Sequence, residues 1–250
     1  MLQPVDFPNL PQGEVALAAV SGRDKEILQT LWNLQIEPLP VSESLRLDGP
    51  IRSHADMRLH YLGQGEVVVE TGDALLFSAC IRRGLKAIYA AHPPEKRYPQ
   101  DVGLNCFALG RYLIGHLQAM DSAVRGSYLS RGFQLLGIPQ GYAKCSAAIV
   151  SANAVITADP PLAAVLERTG FDCLRISPGH ILLEGYAYGF LGGACFLSSP
   201  DSLCFFGDLD THPDAEDIRA FCQSHGVAVR SLLKGALRDI GSVLPLFCRV

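Results

Sequence analysis

A few polar residues stand just ahead of apolar runs in this chain, and they carry its possible chemistry. Lys144 and Cys145 are neighbours, followed by Ser146-Ala147-Ala148-Ile149-Val150. An adjacent ammonium lowers a thiol's pKa and makes it a better nucleophile. If the run from Cys145 to Val150 is a strand, neighbours point to opposite faces, and only one of the pair reaches a given site. His54 or His180 would serve such a thiol as acid–base partner. His54 and Asp56 lie two apart, a spacing that puts both on one strand face and lets both reach one metal ion, with His180 as a third ligand. The other cysteines (80, 106, 173, 195, 204, 222 and 248) are scattered, form no CxxC and read as buried, reduced thiols. Neither G-x-S-x-G nor H-E-x-x-H occurs, which removes the common serine-hydrolase and zincin explanations. Gly189, Gly192 and Gly193 form neither a dinucleotide fingerprint nor a Walker sequence, and tight packing explains them better.

The elements that position these residues repeat. Five amphipathic helical stretches stop at a Gly or Asn and run straight into a short apolar strand. The junctions are Asn33-Leu34, Gly84-Leu85, Gly132-Phe133, Gly170-Phe171 and Gly226-Val227. A left-handed stop recurring at roughly 40–55 residue spacing marks a repeated supersecondary unit. The clearest copy runs from Ala143 to Ser177: strand Cys145–Val150, turn, strand Ala154–Thr157, a helix capped by Asp159 with Pro160 at its first position, then strand Phe171–Ile176. Equivalent hairpins are predicted at Met57–Leu62 with Glu66–Val69, at Leu104–Leu109 with Tyr112–Gly115, and at Phe190–Leu197 with Leu203–Phe206. Their helices run from about Asp73, Asp121 and Thr211. The fifth copy is split, with Asp239–Phe247 supplying its first strand. Glu14–Val20 supplies the second, and Ser21 caps the helix that Asn33 stops.

Composition fits one large core. The 250 residues are 48% hydrophobic and 18% charged, with a net charge of −4 that disfavours nucleic acid as a partner. No membrane span, signal peptide or cofactor motif is read, and a cytoplasmic protein acting on or binding a small molecule is expected.

A ring of five ββαβ units in 250 residues resembles the guanidino-group modifying enzymes: arginine deiminase, agmatine deiminase and dimethylarginine dimethylaminohydrolase. The segments that carry the resemblance are Ser53–Met57, Gly141–Cys145, Ser177–Ile181, Gly185–Phe190 and Arg238–Gly241, and they point to a bacterial branch of that group. The resemblance implies an α/β, five-fold propeller over residues 1–250, one domain of pentein type, with the last blade closed by the two chain ends. It also implies a pore site at the strand starts. Those starts carry His54 and Asp56, Asp101, Lys144 and Cys145, Tyr186 and Tyr188, and Asp239. The family attacks a guanidinium carbon with a thiolate, relays protons through a histidine and holds the planar cation with carboxylates. Its nucleophile lies in the last unit, where this chain reads Arg238-Asp239-Ile240-Gly241-Ser242-Val243. Its histidine lies in the fourth, where this chain reads Tyr186-Ala187-Tyr188. Three readings stay open. One is a binder of an amine or guanidine without covalent chemistry, held by Asp56 and Asp239 between Tyr186 and Tyr188. Another is a hydrolase or amidinotransferase of C–N bonds with a rearranged site using Cys145 and His54 or His180. The third is a metal site on His54, Asp56 and His180.

Overall fold

The computed structural model describes residues 1–250. A short strand β1 (Leu2–Pro4) precedes β2 (Glu14–Ser21), α1 (Lys25–Asn33) and β3 (Glu37–Val41). The next unit opens on a helical turn, α2 (Ala55–Arg58), and continues as β4 (Leu59–Gly63), β5 (Glu66–Val69), α3 (Ala74–Arg82) and β6 (Lys86–Tyr89). Then come β7 (Phe107–Leu109), β8 (Tyr112–Gly115), α4 (Ser122–Ser130) and β9 (Gln134–Gly137). The third unit again opens on a helical turn, α5 (Ala143–Ser146), before β10 (Ala148–Ser151), β11 (Ala154–Thr157), α6 (Pro160–Arg168) and β12 (Asp172–Arg175). The remainder is β13 (Ile181–Leu182), β14 (Cys195–Ser199), β15 (Ser202–Phe205), α7 (Ala215–Ser224), β16 (Ala228–Ser231), β17 (Leu237–Arg238) and β18 (Leu244–Arg249).

Each unit makes its own small sheet, so the fold is mixed α/β with many sheets. The first strand is antiparallel to the second, and the second pairs in parallel with the third after the helix crosses over. The fifth sheet is assembled from both ends of the chain: β18 pairs antiparallel with β2, and β2 pairs in parallel with β3.

The helix ends follow from local chemistry. Asp24, Asp73, Asp121 and Asp159 each accept backbone N–H bonds at the start of α1, α3, α4 and α6, satisfying donors a helix leaves free. Ser21 does not cap α1 as expected; it ends β2 and its hydroxyl meets that of Ser53 at 2.7 Å. The helix expected from Thr211 begins at Ala215, because Leu209–Thr211 form a separate turn. At the other end Gly84, Gly132, Gly170 and Gly226 take positive φ as expected. The residue after each donates back into the last helical turn (Leu85 to Cys80, Phe133 to Tyr128, Phe171 to Leu166, Val227 to Cys222). In the remaining unit Gln35, at φ 60°, takes this role instead of Asn33, and β3 starts later than expected.

The apolar residues form cores shared between successive units. Leu62, Val68, Leu113 and Tyr128 bridge the first two, and Phe107, Ile114, Ile149 and Val155 the next two. Val150, Ile156, Leu197 and Phe205 bridge the third and fourth. Phe196 and Phe206 pack on Val20, Ile27 and Val243 of the fifth. Leu17, Leu39 and Leu246 pack on Leu59, Tyr61 and Val67, returning to the first.

Candidate functional site

The segments just before each first strand are joined to one another by hydrogen bonds. They are not strand starts. Residues 55–58 and 143–146 are single helical turns, and Leu191–Gly193 form a 3-10 turn. This corrects the geometry expected for Lys144 and Cys145. Successive side chains on a helix are rotated by about 100°, not 180°, so both can turn inward. Lys144 is 5% and Cys145 2% exposed. His54 and Asp56 likewise do not share a strand face; His54 precedes α2 and Asp56 lies within it, and both are buried.

A hydrogen-bonded chain links these segments in a closed circuit. Lys144 Nζ donates to Ser242 Oγ (3.0 Å) and to the Gly192 carbonyl (3.2 Å). With that ammonium donating to its oxygen, the Ser242 hydroxyl donates to Asp56 Oδ2 at 2.7 Å. Cys145 Sγ donates to the same oxygen at 2.9 Å. The Asn105 carboxamide accepts from the Lys144 N–H (2.8 Å) and donates to Cys145 Sγ (3.2 Å) and Met57 Sδ (3.3 Å). The Ser242 N–H donates to the Gly193 carbonyl, and the Asp56 N–H to that of Gly241. Sequence reasoning missed Asn105 and Ser242. Both lie just before a first strand, as Asp56 and Lys144 do, and that placement is the one signal that could have pointed to them.

Asp239 is held by the Phe190 and Gly241 N–H groups, each at 2.9 Å. Two glycines make this possible. A Cβ on Gly193 would fall 1.9 Å from Asp239 Oδ1, and one on Gly241 would fall 2.1 Å from Cγ of His54. Asp56 does not pair with Arg52, which meets Glu43 at 3.3 Å. Asp239 does not pair with Arg238, which meets Asp24 (3.1 Å) and Glu26 (2.7 Å).

The electrostatics also correct an expectation. Burial, followed by the charges of Asp56 and Asp239, pushes the Cys145 thiol well above its ordinary range, and the Asn105 donor pulls back only partly. The Lys144 ammonium is not among the charges that shift this thiol; it donates to Ser242 and Gly192. Burial also raises the Asp239 carboxyl, opposed by nearby His54 and the two N–H bonds.

Above the cluster lies a cavity of about 210 Å³ with His54, Cys145 and Asp239 on its wall. Tyr142, Tyr186, Tyr188 and Phe190 supply aromatic surface to it. A larger, more polar cavity of about 610 Å³ shares His54, Tyr186 and Asp239 and adds Arg23, Lys25 and Arg238. Asp101 sits behind this wall, accepting from Tyr142 Oη at 2.6 Å. Tyr186 Oη donates to Asp48 at 3.1 Å. His180 stands apart: it is exposed, lines neither cavity and stacks edge-on against His212. It therefore does not supply the third metal ligand; His54, Asp56 and Cys145 instead offer ligand atoms within 4.8 Å of one another.

Solved structures that superpose over nearly the whole chain define the fold class. An amidinotransferase of the saxitoxin biosynthetic pathway from Microseira wollei matches with TM-score 0.56 and 11% identity, covering 95% of this chain and 96% of that one. The inosamine-phosphate amidinotransferase from Streptomyces griseus gives 0.56 and 9%, covering 98% and 97%. The agmatine deiminase of C. jejuni gives 0.54 and 12%, covering 93% and 90%. Identities this low speak for the fold alone, which this chain shares with these enzymes. No curated protein matches the sequence. Residues 19–244 match the family described as "Family of unknown function (DUF6873)", and the chain belongs to that family. No helix is long and apolar enough to cross a membrane.

Proposed function

We propose that this protein is an enzyme acting on a C–N bond of a small planar cation, an amidine or guanidine, with Cys145 as nucleophile and His54 as proton relay. The observation that carries this reading is the meeting of thiol, imidazole and carboxylate within 4.8 Å beside a cavity with aromatic walls. In this reading residues 1–250 form one domain, a five-fold propeller, and its centre holds the site. The nucleophile has moved from the last unit, where Ser242 stands, to the third, and the relay from the fourth unit to the first.

The steps follow from the hydrogen bonds. The Cys145 proton passes to Asp56 Oδ2, its present acceptor at 2.9 Å, as Sγ bonds to the central carbon of the cation. The C–N bond then breaks, and the leaving nitrogen takes a proton from His54. Water or a second amine attacks the thioester-like carbon, returns a proton to His54 and expels Sγ, which recovers its own proton from Asp56. Asp239 and the faces of Tyr186 and Tyr188 hold the cation. The raised thiol pKa makes the chemistry conditional: a bound cation offsets the two carboxylates and favours the thiolate only when substrate is present. That same resting state favours the second reading, a cavity that holds the cation without covalent chemistry.

Chloroacetamidine and its neutral isostere chloroacetamide separate the two. The amidine is expected to alkylate Cys145 at least about tenfold faster at neutral pH, an attraction of ~1.4 kcal/mol or more. Peptide mass mapping should find the label on Cys145 and lose it in Cys145→Ser. Equal rates would sink the cation site, and no label on Cys145 from either reagent would sink covalent catalysis.

A further inference from the structure

We infer that His54, Asp56 and Cys145 form a binding site for a soft divalent metal ion, of which zinc is the natural representative. This goes beyond the covalent reading and does not depend on it.

The three side chains offer one nitrogen, one oxygen and one sulfur, a donor set that selects zinc-like ions over magnesium or calcium. All three are at least 96% buried, and their ligand atoms lie within 4.8 Å of one another. A second observation points to the same place. Asp56 Oδ1 is buried and has no hydrogen-bond partner, while Oδ2 is taken by Ser242 and Cys145. A buried carboxylate oxygen without a donor is costly, and a cation is a natural occupant of its lone pairs. The surroundings resemble those that steady metal ligands. Asn105 donates to Cys145 Sγ, and Lys144 acts through Ser242 on the other carboxylate oxygen. Gly241 gives the His54 ring its seat.

Binding exchanges one cation for another. The ion displaces the Cys145 proton to solvent and bonds to the thiolate, so thiolate, carboxylate and divalent ion sum to neutrality with a neutral imidazole. The present Sγ to Oδ2 contact of 2.9 Å is the bond whose proton is replaced. His54 and Cys145 also face the 210 Å³ cavity, which leaves a fourth position open to water or to a ligand heteroatom. Metal and a covalent adduct are mutually exclusive on the sulfur.

Cadmium reports on this site directly, through the near-ultraviolet charge-transfer band of a cadmium–thiolate bond. Metal-free protein titrated with cadmium is expected to saturate at one equivalent, and zinc but not magnesium should compete. The band should vanish in Cys145→Ser, and affinity should fall at least about 100-fold in His54→Gln. Absence of the band, its survival in Cys145→Ser, or unchanged affinity in His54→Gln would each overturn the proposal. Chloroacetamidine labelling of the metal-free protein separates the two ideas. No band with labelling intact removes the metal site alone, and a band without labelling removes covalent catalysis alone.

Discussion

Lys144→Met is the most direct probe of the buried centre. Lys144 is 5% exposed, and its ammonium faces the Asp56 carboxylate across a single hydroxyl, with 3.0 Å from Nζ to Ser242 Oγ and 2.7 Å from there to Asp56. Methionine keeps the length and loses the charge. Asp56 would keep two donors but no countercharge, and deleting one partner of a buried pair costs about 3–5 kcal/mol. For a chain of this size each kcal/mol moves Tm by about 2–4 °C, so a fall of roughly 6–20 °C follows. Asp56→Asn removes the orphaned charge, and the double variant should recover at least about 2 kcal/mol relative to the sum of the singles. Reversible urea unfolding of the four proteins supplies the cycle. A loss below about 1 kcal/mol in Lys144→Met, or strict additivity, would refute the claim that Ser242 transmits a charge pair.

Other regions yield expectations of the same kind. His60 is buried between the Leu104 carbonyl (3.1 Å) and Tyr128 Oη (3.0 Å), and burial lowers its pKa to about 4. The unfolded chain binds that proton first, so stability should fall as pH drops from about 6.5 to about 4, by about 3 kcal/mol. Urea melts across that window should flatten in His60→Gln, and an unchanged slope would exclude this cause. Gly193→Ala drives a methyl into Asp239 Oδ1 and should cost about 2–4 kcal/mol. Gly132→Ala, which meets nothing within 4 Å, should cost only the ~1–2 kcal/mol of its left-handed backbone; equal losses would refute the steric account. Tyr142→Phe strips the one side-chain donor from buried Asp101 and should cost about 1–3 kcal/mol by thermal melt, without changing cadmium affinity.

The units were legible because their punctuation is local. Gly84, Gly132, Gly170 and Gly226 announce helix stops through a backbone state few other residues accept. Gln35 adopts the same state with no such signature, so its stop was misplaced by two residues. The predicted strands from Met57 and from Cys145 overrun the helical turns at 55–58 and 143–146, because one turn is too short to display a 3.6-residue period. Cys145, His54, Asp56 and Asp239 drew notice by their chemistry. Ser242 and Asn105 did not, since a neutral polar residue beside glycine or apolar neighbours has many uses. The bond from Ser242 to Asp56 joins residues 186 positions apart, and no local pattern encodes it. His180 drew notice for its type, but its fold position gives it only His212 as an aromatic neighbour.

The sheet built from both chain ends constrains how the protein is made. Leu244 faces Ala19 and Arg249 faces Glu14, pairs about 230 residues apart. A ribosome delivers β2 long before its partner β18. During synthesis β2, a strand rich in Val and Ala and almost wholly buried in the finished fold, has one unpaired edge. Units that fold in between cannot cover that edge, because its partner does not yet exist. Assembly of the final sheet is therefore a late, long-range closure, and the nascent chain is most open to pairing with another chain just before it occurs.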